Sequence, residues 1–351
     1  MVIEIKDDLF SSNDFKGLNY LIQILTYKQR YALFVEHTRL ENSVLYKRLD
    51  EDDKLELMEN YNRVITESLY ITHTIGLDSK NDQFCLEEAI SFFIQPFSII
   101  LENGLNDKYL IEAIIEYFDS DKEIKRHLEN GWIQFENGGG CTNIKNFIEG
   151  KLQSFNNLAK KYEKPNDSYL KYFVFVDSDR EFPTQANKHK KLVTETGDNK
   201  IHVFKKREME NYMPDEALDV IAGDNSQLKK WVDAFKNLSP IQKDFLDIEK
   251  GFPKQKLVKN NKNSRRKQKK RKRHEHEKRT NRQELDSNIK LLYHDVSDAN
   301  FKILDEGFKL KDFKTEFPKK FELKEAHKKN LLIRAGSNEF EDIITKINKL
   351  L

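Results

Sequence analysis

The sequence predicts an α/β protein, a mostly parallel four-stranded sheet flanked by N-terminal and C-terminal helical regions. Between residues 96 and 204 lie four short apolar runs, 97–101, 132–135, 172–176 and 201–204, each followed by polar or glycine-bearing residues. Helical spacing separates them, over residues 107–118 and again through Ile144, Phe147, Ile148 and Leu152. Continuous apolar strands alternating with helices make a parallel sheet covered on both faces. A chain of 351 residues has room for two or three domains, and its 24 Phe and 13 Tyr supply large buried area although only 38% of residues are hydrophobic.

Taken in order, residues 1–95 read as a helical accessory or partner-binding domain. Phe15, Leu18, Leu21, Ile22 and Leu25 recur at three- and four-residue spacing, as do Leu55, Met58, Tyr61 and Val64. Residues 96–214 hold the sheet. Residues 215–351 return to helical spacing, for example Phe340, Ile343, Ile344 and Ile347, and include a basic tract. Residues 254–282 carry fifteen Lys or Arg against Glu275 and Glu277 alone. Totals of 61 basic and 59 acidic residues therefore leave the rest of the chain acidic. Such segregation suggests a docking segment for a polyanion, with Arg265, Arg266, Lys267, Lys269, Lys270, Arg271, Lys272 and Arg273 at its centre.

Several classes are excluded or disfavoured. No run of about 18 uncharged apolar residues occurs, so no membrane helix is expected, and the start MVIEIKDDLF is not a signal peptide. Two cysteines, Cys85 and Cys141, build neither a disulfide framework nor a zinc site, which points to a reducing cytoplasm. No phosphate loop of the Gly-x-x-x-x-Gly-Lys-Ser/Thr type is present.

Ligands of a parallel sheet bind beyond the carboxyl ends of its strands. There the runs deliver Glu102 with Asp107 nearby, Glu136 with Gly138, Gly139 and Gly140, then Asp177 and Asp179, and finally Glu208 and Glu210. Two carboxylates about 4 Å apart repel by about 4 kcal/mol at an effective dielectric near 20. A divalent cation is the simplest neutraliser, and all-oxygen donors favour Mg²⁺ or Mn²⁺.

Strand–Glu–turn–Asp–helix, a glycine-bearing second turn, then strand–Asp-x-Asp resembles a TOPRIM domain, the fold of topoisomerases, bacterial primases and some nucleases. Arg207-Glu208-Met209-Glu210-Asn211-Tyr212 further resembles the Arg-Glu-x-Glu-Asn-Tyr segment of OLD-type (overcoming-lysogenization-defect) TOPRIM nucleases and their stand-alone relatives in phage defence. The likeness covers residues 96–214, and departs from the pattern where Asn103 separates Glu102 from Gly104. It implies a Mg²⁺-dependent nuclease acting in bacterial antiphage defence. Glu102, Asp177 and Asp179 would be the main metal ligands, Asp107 and Glu208 further ones, and Glu210 with Lys205 or Lys206 would assist the chemistry. The implied partners are DNA or RNA, a separate ATPase subunit in place of the missing phosphate loop, and a second copy of the chain. Two alternatives stay open: an RNA-cleaving, toxin-like effector that cuts transfer RNA, and a catalytically silent nucleic-acid-binding or assembly module.

Overall fold

A computed structural model describes residues 1–66, 70–253, 282 and 285–351. Two four-stranded parallel sheets organise it. The basic tract's central residues, Arg265 to Arg273, lie outside the described residues.

The α/β expectation holds in its general form, but the expectation of helices alone over residues 1–95 is corrected. Strands β1 (Val2–Ile5), β2 (Ala32–Val35), β3 (His73–Ile75) and β4 (Gln83–Phe84) form a sheet ordered β2-β1-β3-β4. Ile3 stands opposite both Leu33 and His73. Strands of two to four residues carrying Glu4, Thr74 and Gln83 are too short for a periodicity to register, and parallel pairing leaves no local turn signal. The helices around them do follow the spacing. Phe15–Thr26 buries Leu18, Leu21, Ile22 and Leu25, and its first turn is capped by Asp14, whose carboxylate accepts the Gly17 N–H at 2.9 Å.

The second sheet has the order β6-β5-β7-β8, with β5 at Phe97–Leu101, β6 at Ile133–Asn137, β7 at Tyr172–Val176 and β8 at Ile201–Val203. These are the four apolar runs of the sequence to within two residues. All ten residues of β5 and β7 are buried, as expected of strands covered on both faces. Ile100 pairs with Glu136 on one side and Val174 on the other.

By contacts the chain divides into two compact units. One comprises Met1–Glu102, Asp121–Val174 and Ile344–Leu351; the other comprises Asn103–Ser120 and Phe175–Ile343. The first contains the β1–β4 sheet, β5, β6 and the helix Cys141–Gln153. Aromatics fill the second. Phe252 stacks on Phe301 at 4.2 Å, Phe313 on Phe317 at 4.5 Å and Trp231 on Phe235 at 5.0 Å, all of them buried. Each such ring stabilises the fold by about 1.5–3 kcal/mol through area removed from water. Among the described residues no helix is long and apolar enough to cross a membrane.

Candidate active site

Of the implied metal-binding and catalytic residues, Glu102 alone belongs to the first unit. It follows β5, and the triple-glycine turn after β6 is built against it. Gly138 N–H donates to the Leu101 carbonyl at 2.7 Å and Gly140 N–H to the Glu102 carbonyl at 2.9 Å. A Cβ on Gly138 would come within 2.7 Å of Ile144, and Gly139 and Gly140 have φ of +73° and +91°. Glycine is thus required for this close backbone approach. Cys141, the first residue of the following helix, donates its thiol to Glu102 Oε1 at 2.7 Å.

The other candidates lie in the second unit, and there the chain stitches the Asp177-Ser178-Asp179 turn onto residues 205–209. Asp177 Oδ1 accepts the Met209 N–H at 2.8 Å. Buried Ser178 donates to the Lys206 carbonyl at 2.7 Å, and Asp179 N–H donates to the Arg207 carbonyl at 2.9 Å. Asp179 has φ +53°, a left-handed conformation that Asp tolerates better than most residues. Lys188 Nζ donates to its carbonyl at 2.5 Å.

Roles divide cleanly within Arg207-Glu208-Met209-Glu210-Asn211-Tyr212. The last two residues hold the segment in place. Fully buried Asn211 accepts the Glu208 N–H at 3.0 Å and donates to the carbonyls of Lys243 and Leu246, each at 2.8 Å. Tyr212 donates to Glu339 Oε2 at 2.6 Å, while Glu339 Oε1 accepts from the Lys205 N–H at 2.8 Å and lies 2.9 Å from His202 Nε2. The acids at 208 and 210 are thereby fixed in a confined place. Burial, then Asp247, then Glu210 push the Glu208 carboxyl up to about 8. Burial and Asp107 push Glu210 up to about 7, although its own backbone N–H and Lys314 work the other way. Asp107 closes the turn before the helix Lys108–Phe118: its Oδ2 accepts the Asn103 N–H at 2.8 Å, and its own N–H donates to the Asn103 carbonyl at 2.9 Å. The residue that interrupts Glu102 and Gly104 is therefore the one this aspartate binds.

Sequence reading passed over Asp247, Glu249 and Lys314. Asp247 binds Arg207 Nη2 at 3.2 Å, and Arg207 Nε lies 3.5 Å from Glu208 Oε1. Lys314 lies 3.7 Å from Glu249; against burial, which lowers its pKa, Glu249, Glu210, Glu208 and Asp247 together raise it. One signal was there to find. Asp247-Ile248-Glu249 repeats the acid-x-acid spacing of 177/179 and 208/210.

Neither lysine near the fourth strand joins this cluster through an observed contact. Lys206 is buried, with its ammonium paired to Asp244, which also accepts Arg334 Nη1 at 2.5 Å. Burial and Arg334 bring Lys206 down to about 8. Exposed Lys205 directs Nζ to Ser337 Oγ at 3.3 Å. No protein-family model, curated protein or solved structure matches the chain.

Proposed function

We propose that the second unit carries a metal-dependent nuclease site of TOPRIM type, serving antiphage defence as the resemblance of residues 96–214 implies. The observation that carries this reading is the convergence of three acid-x-acid pairs in one unit, 177/179, 208/210 and 247/249, with Glu208 and Glu210 raised to about 8 and 7. Glu208 and Glu210 so placed hold protons near neutral pH unless a cation takes them over. The donors are all oxygens, which fits a hard divalent ion such as Mg²⁺ or Mn²⁺. Asp177, Asp179 and Glu208 would hold it, with Asp107 and Glu210 completing the acidic surroundings. Such an ion, when bound, supplies Lewis-acid stabilisation of a phosphoryl oxygen and lowers the pKa of a water.

The chain's own groups do the rest. Asn211 and Tyr212 fix where the acids stand, so no reorganisation is needed as charge develops. Arg207, held by Asp247, and Lys314 place positive charge beside the carboxylates, where it can meet a scissile phosphate. Lys206, bound to Asp244, supports the segment from beneath.

The test is incubation of the full chain with Mg²⁺ or Mn²⁺ and, separately, supercoiled plasmid, circular single-stranded DNA and transfer RNA. Cleavage that chelation abolishes and Asp177→Asn removes supports the reading. Cleavage of transfer RNA alone moves the protein to the RNA-cutting alternative, and binding without cleavage of any substrate moves it to the silent module.

A further inference from the structure

After Asp179 the chain makes a braced loop and comes back to it, all within the second unit. Arg180 starts the loop, its guanidinium donating to the Pro183 carbonyl at 3.2 Å and the Lys205 carbonyl at 2.6 Å. Gln185 braces the middle. Its Oε1 accepts the Glu181 N–H at 2.6 Å, and its own N–H donates to the Phe182 carbonyl at 3.2 Å. Lys188 closes the loop by donating to the Asp179 carbonyl. The next residue, His189, donates its N–H to Asn187 Oδ1 at 2.8 Å, and its carbonyl accepts the Val193 N–H at 2.9 Å. Both ends of the loop are therefore pinned.

What this return delivers is an imidazole. His189 is only 8% exposed, and one of its ring nitrogens lies within 4.8 Å of an Asp179 carboxylate oxygen. Two donors of one octahedral ion stand about 3 Å apart when adjacent and about 4.2 Å apart when opposite, for metal–ligand distances near 2.1 Å. The spacing here is of that order. Other histidines that face acids meet carboxylates already in use. His202 shares Glu339 with the Lys205 N–H and the Tyr212 hydroxyl. His127 stands 4.0 Å from Glu123, which Arg63 and Arg126 bind. Asp179 differs from both. Among the described residues its hydrogen bonds are made by its backbone, to the Arg207 carbonyl and from Lys188, which leaves the carboxylate to a ligand.

We infer that His189 is a ligand of the ion at Asp179, and that the site therefore takes Mn²⁺ in preference to Mg²⁺. The inference rests on the nuclease reading for that ion's carboxylates and adds one nitrogen to their oxygens. Imidazole suits first-row transition ions, whereas Mg²⁺ keeps to oxygen and holds its waters. Burial already restricts the ring, so little side-chain freedom is lost when an ion arrives.

The experiment uses the full, tag-free chain with Mn²⁺ alone, read by pulsed electron paramagnetic resonance with unlabelled and then ¹⁵N-labelled histidine. The native chain should show a directly bound nitrogen whose coupling changes with the label, and equimolar Mg²⁺ should leave that signal in place. His189→Gln should remove it and weaken Mn²⁺ binding about tenfold, at least what losing an outer partner of such a ligand costs. Asp179→Asn, at a half-buried position, should remove it too, which keeps the question open to test should His189→Gln not fold. His274→Gln combined with His276→Gln should leave it intact. A native chain without nitrogen coupling, a coupling that survives His189→Gln or Asp179→Asn, one lost with His274 and His276, or displacement by equimolar Mg²⁺ overturns the inference. Cleavage is scored separately. Nitrogen coupling without any metal-dependent cutting sinks the nuclease reading alone, and cutting without nitrogen coupling sinks this one alone.

Discussion

Two parallel sheets of four strands stand in this chain, and acids follow the strands of both. After β1 come Asp7 and Asp8, and after β2 comes Glu36. In that first sheet the strand ends are closed by backbone: Lys6 N–H binds the Ile75 carbonyl at 2.8 Å, and Gly76 N–H binds the Phe84 carbonyl at 2.9 Å. Asp8 and Glu36 are exposed to water, and Asp8 accepts the Leu77 N–H at 3.2 Å. Beyond the second sheet, Glu208 and Glu210 are drawn in among Asp107 and Asp247 and pay for it in raised proton affinity. Acid at the carboxyl edge of a parallel sheet is therefore no mark of chemistry by itself. Confinement that raises proton affinity is what separates the two edges.

The sharpest way to break that contrast is Asp177→Asn. The amide oxygen can still accept the Met209 N–H, so the fold should stand while the ligand charge goes. Cleavage is expected to fall about 10³-fold, several kcal/mol of transition-state stabilisation, with melting essentially unchanged. A loss of less than tenfold would remove the second edge's claim to chemistry.

Next in size is Lys206→Met. Removing this ammonium leaves Asp244 with Arg334 alone and opens the contact beneath Tyr212. Breaking a buried pair in this way costs about 3 kcal/mol, read as a lower urea midpoint at constant slope. Activity per folded molecule should stay within a few-fold. Normal stability with lost activity would instead return Lys206 to a direct role at the phosphate.

How much of this was legible follows from where each signal lies. The second sheet could be read because β7 is an unbroken apolar run and β5 is interrupted only by Ser98, the two being followed by Asp177 and Glu102. The first could not, since Gln83-Phe84 and His73-Thr74-Ile75 are too short to show a pattern and gain strand character from pairing with each other and, for the latter, with β1 seventy residues upstream. The same distance hid Asp247 and Lys314, which join Glu208 and Glu210 only through the fold. The structural duty of Asn211 and Tyr212 was hidden too, because their partners Leu246 and Glu339 are 35 and 127 residues downstream.

A smaller effect concerns protons. Glu208 and Glu210 rise in the folded chain from an ordinary value of 4.5 to about 8 and about 7, so the folded state binds protons more tightly than the unfolded one. Their contribution is favourable to folding at acid pH and is lost as pH rises through about 7 to 8. Metal-free protein should therefore melt progressively lower between about pH 5 and pH 8, and Mn²⁺ should restore about 5 °C at pH 8 while adding little at pH 5. An equal rise at both pH values would mean that the cation binds elsewhere.

The smallest expected effect is the control on the first sheet, and the comparison depends on it. Asp8→Asn keeps an oxygen for the Leu77 N–H and removes one exposed charge from the β1–β3 edge. Stability should shift by no more than about 0.5 kcal/mol, as for exposed substitutions generally. Cleavage and the Mn²⁺-dependent rise in melting at pH 8 should both be retained. If Asp8→Asn abolished either one, the acids of the first edge would share the function now given to the second. The distinction would then lie in something other than how deeply the two sets of carboxylates are enclosed.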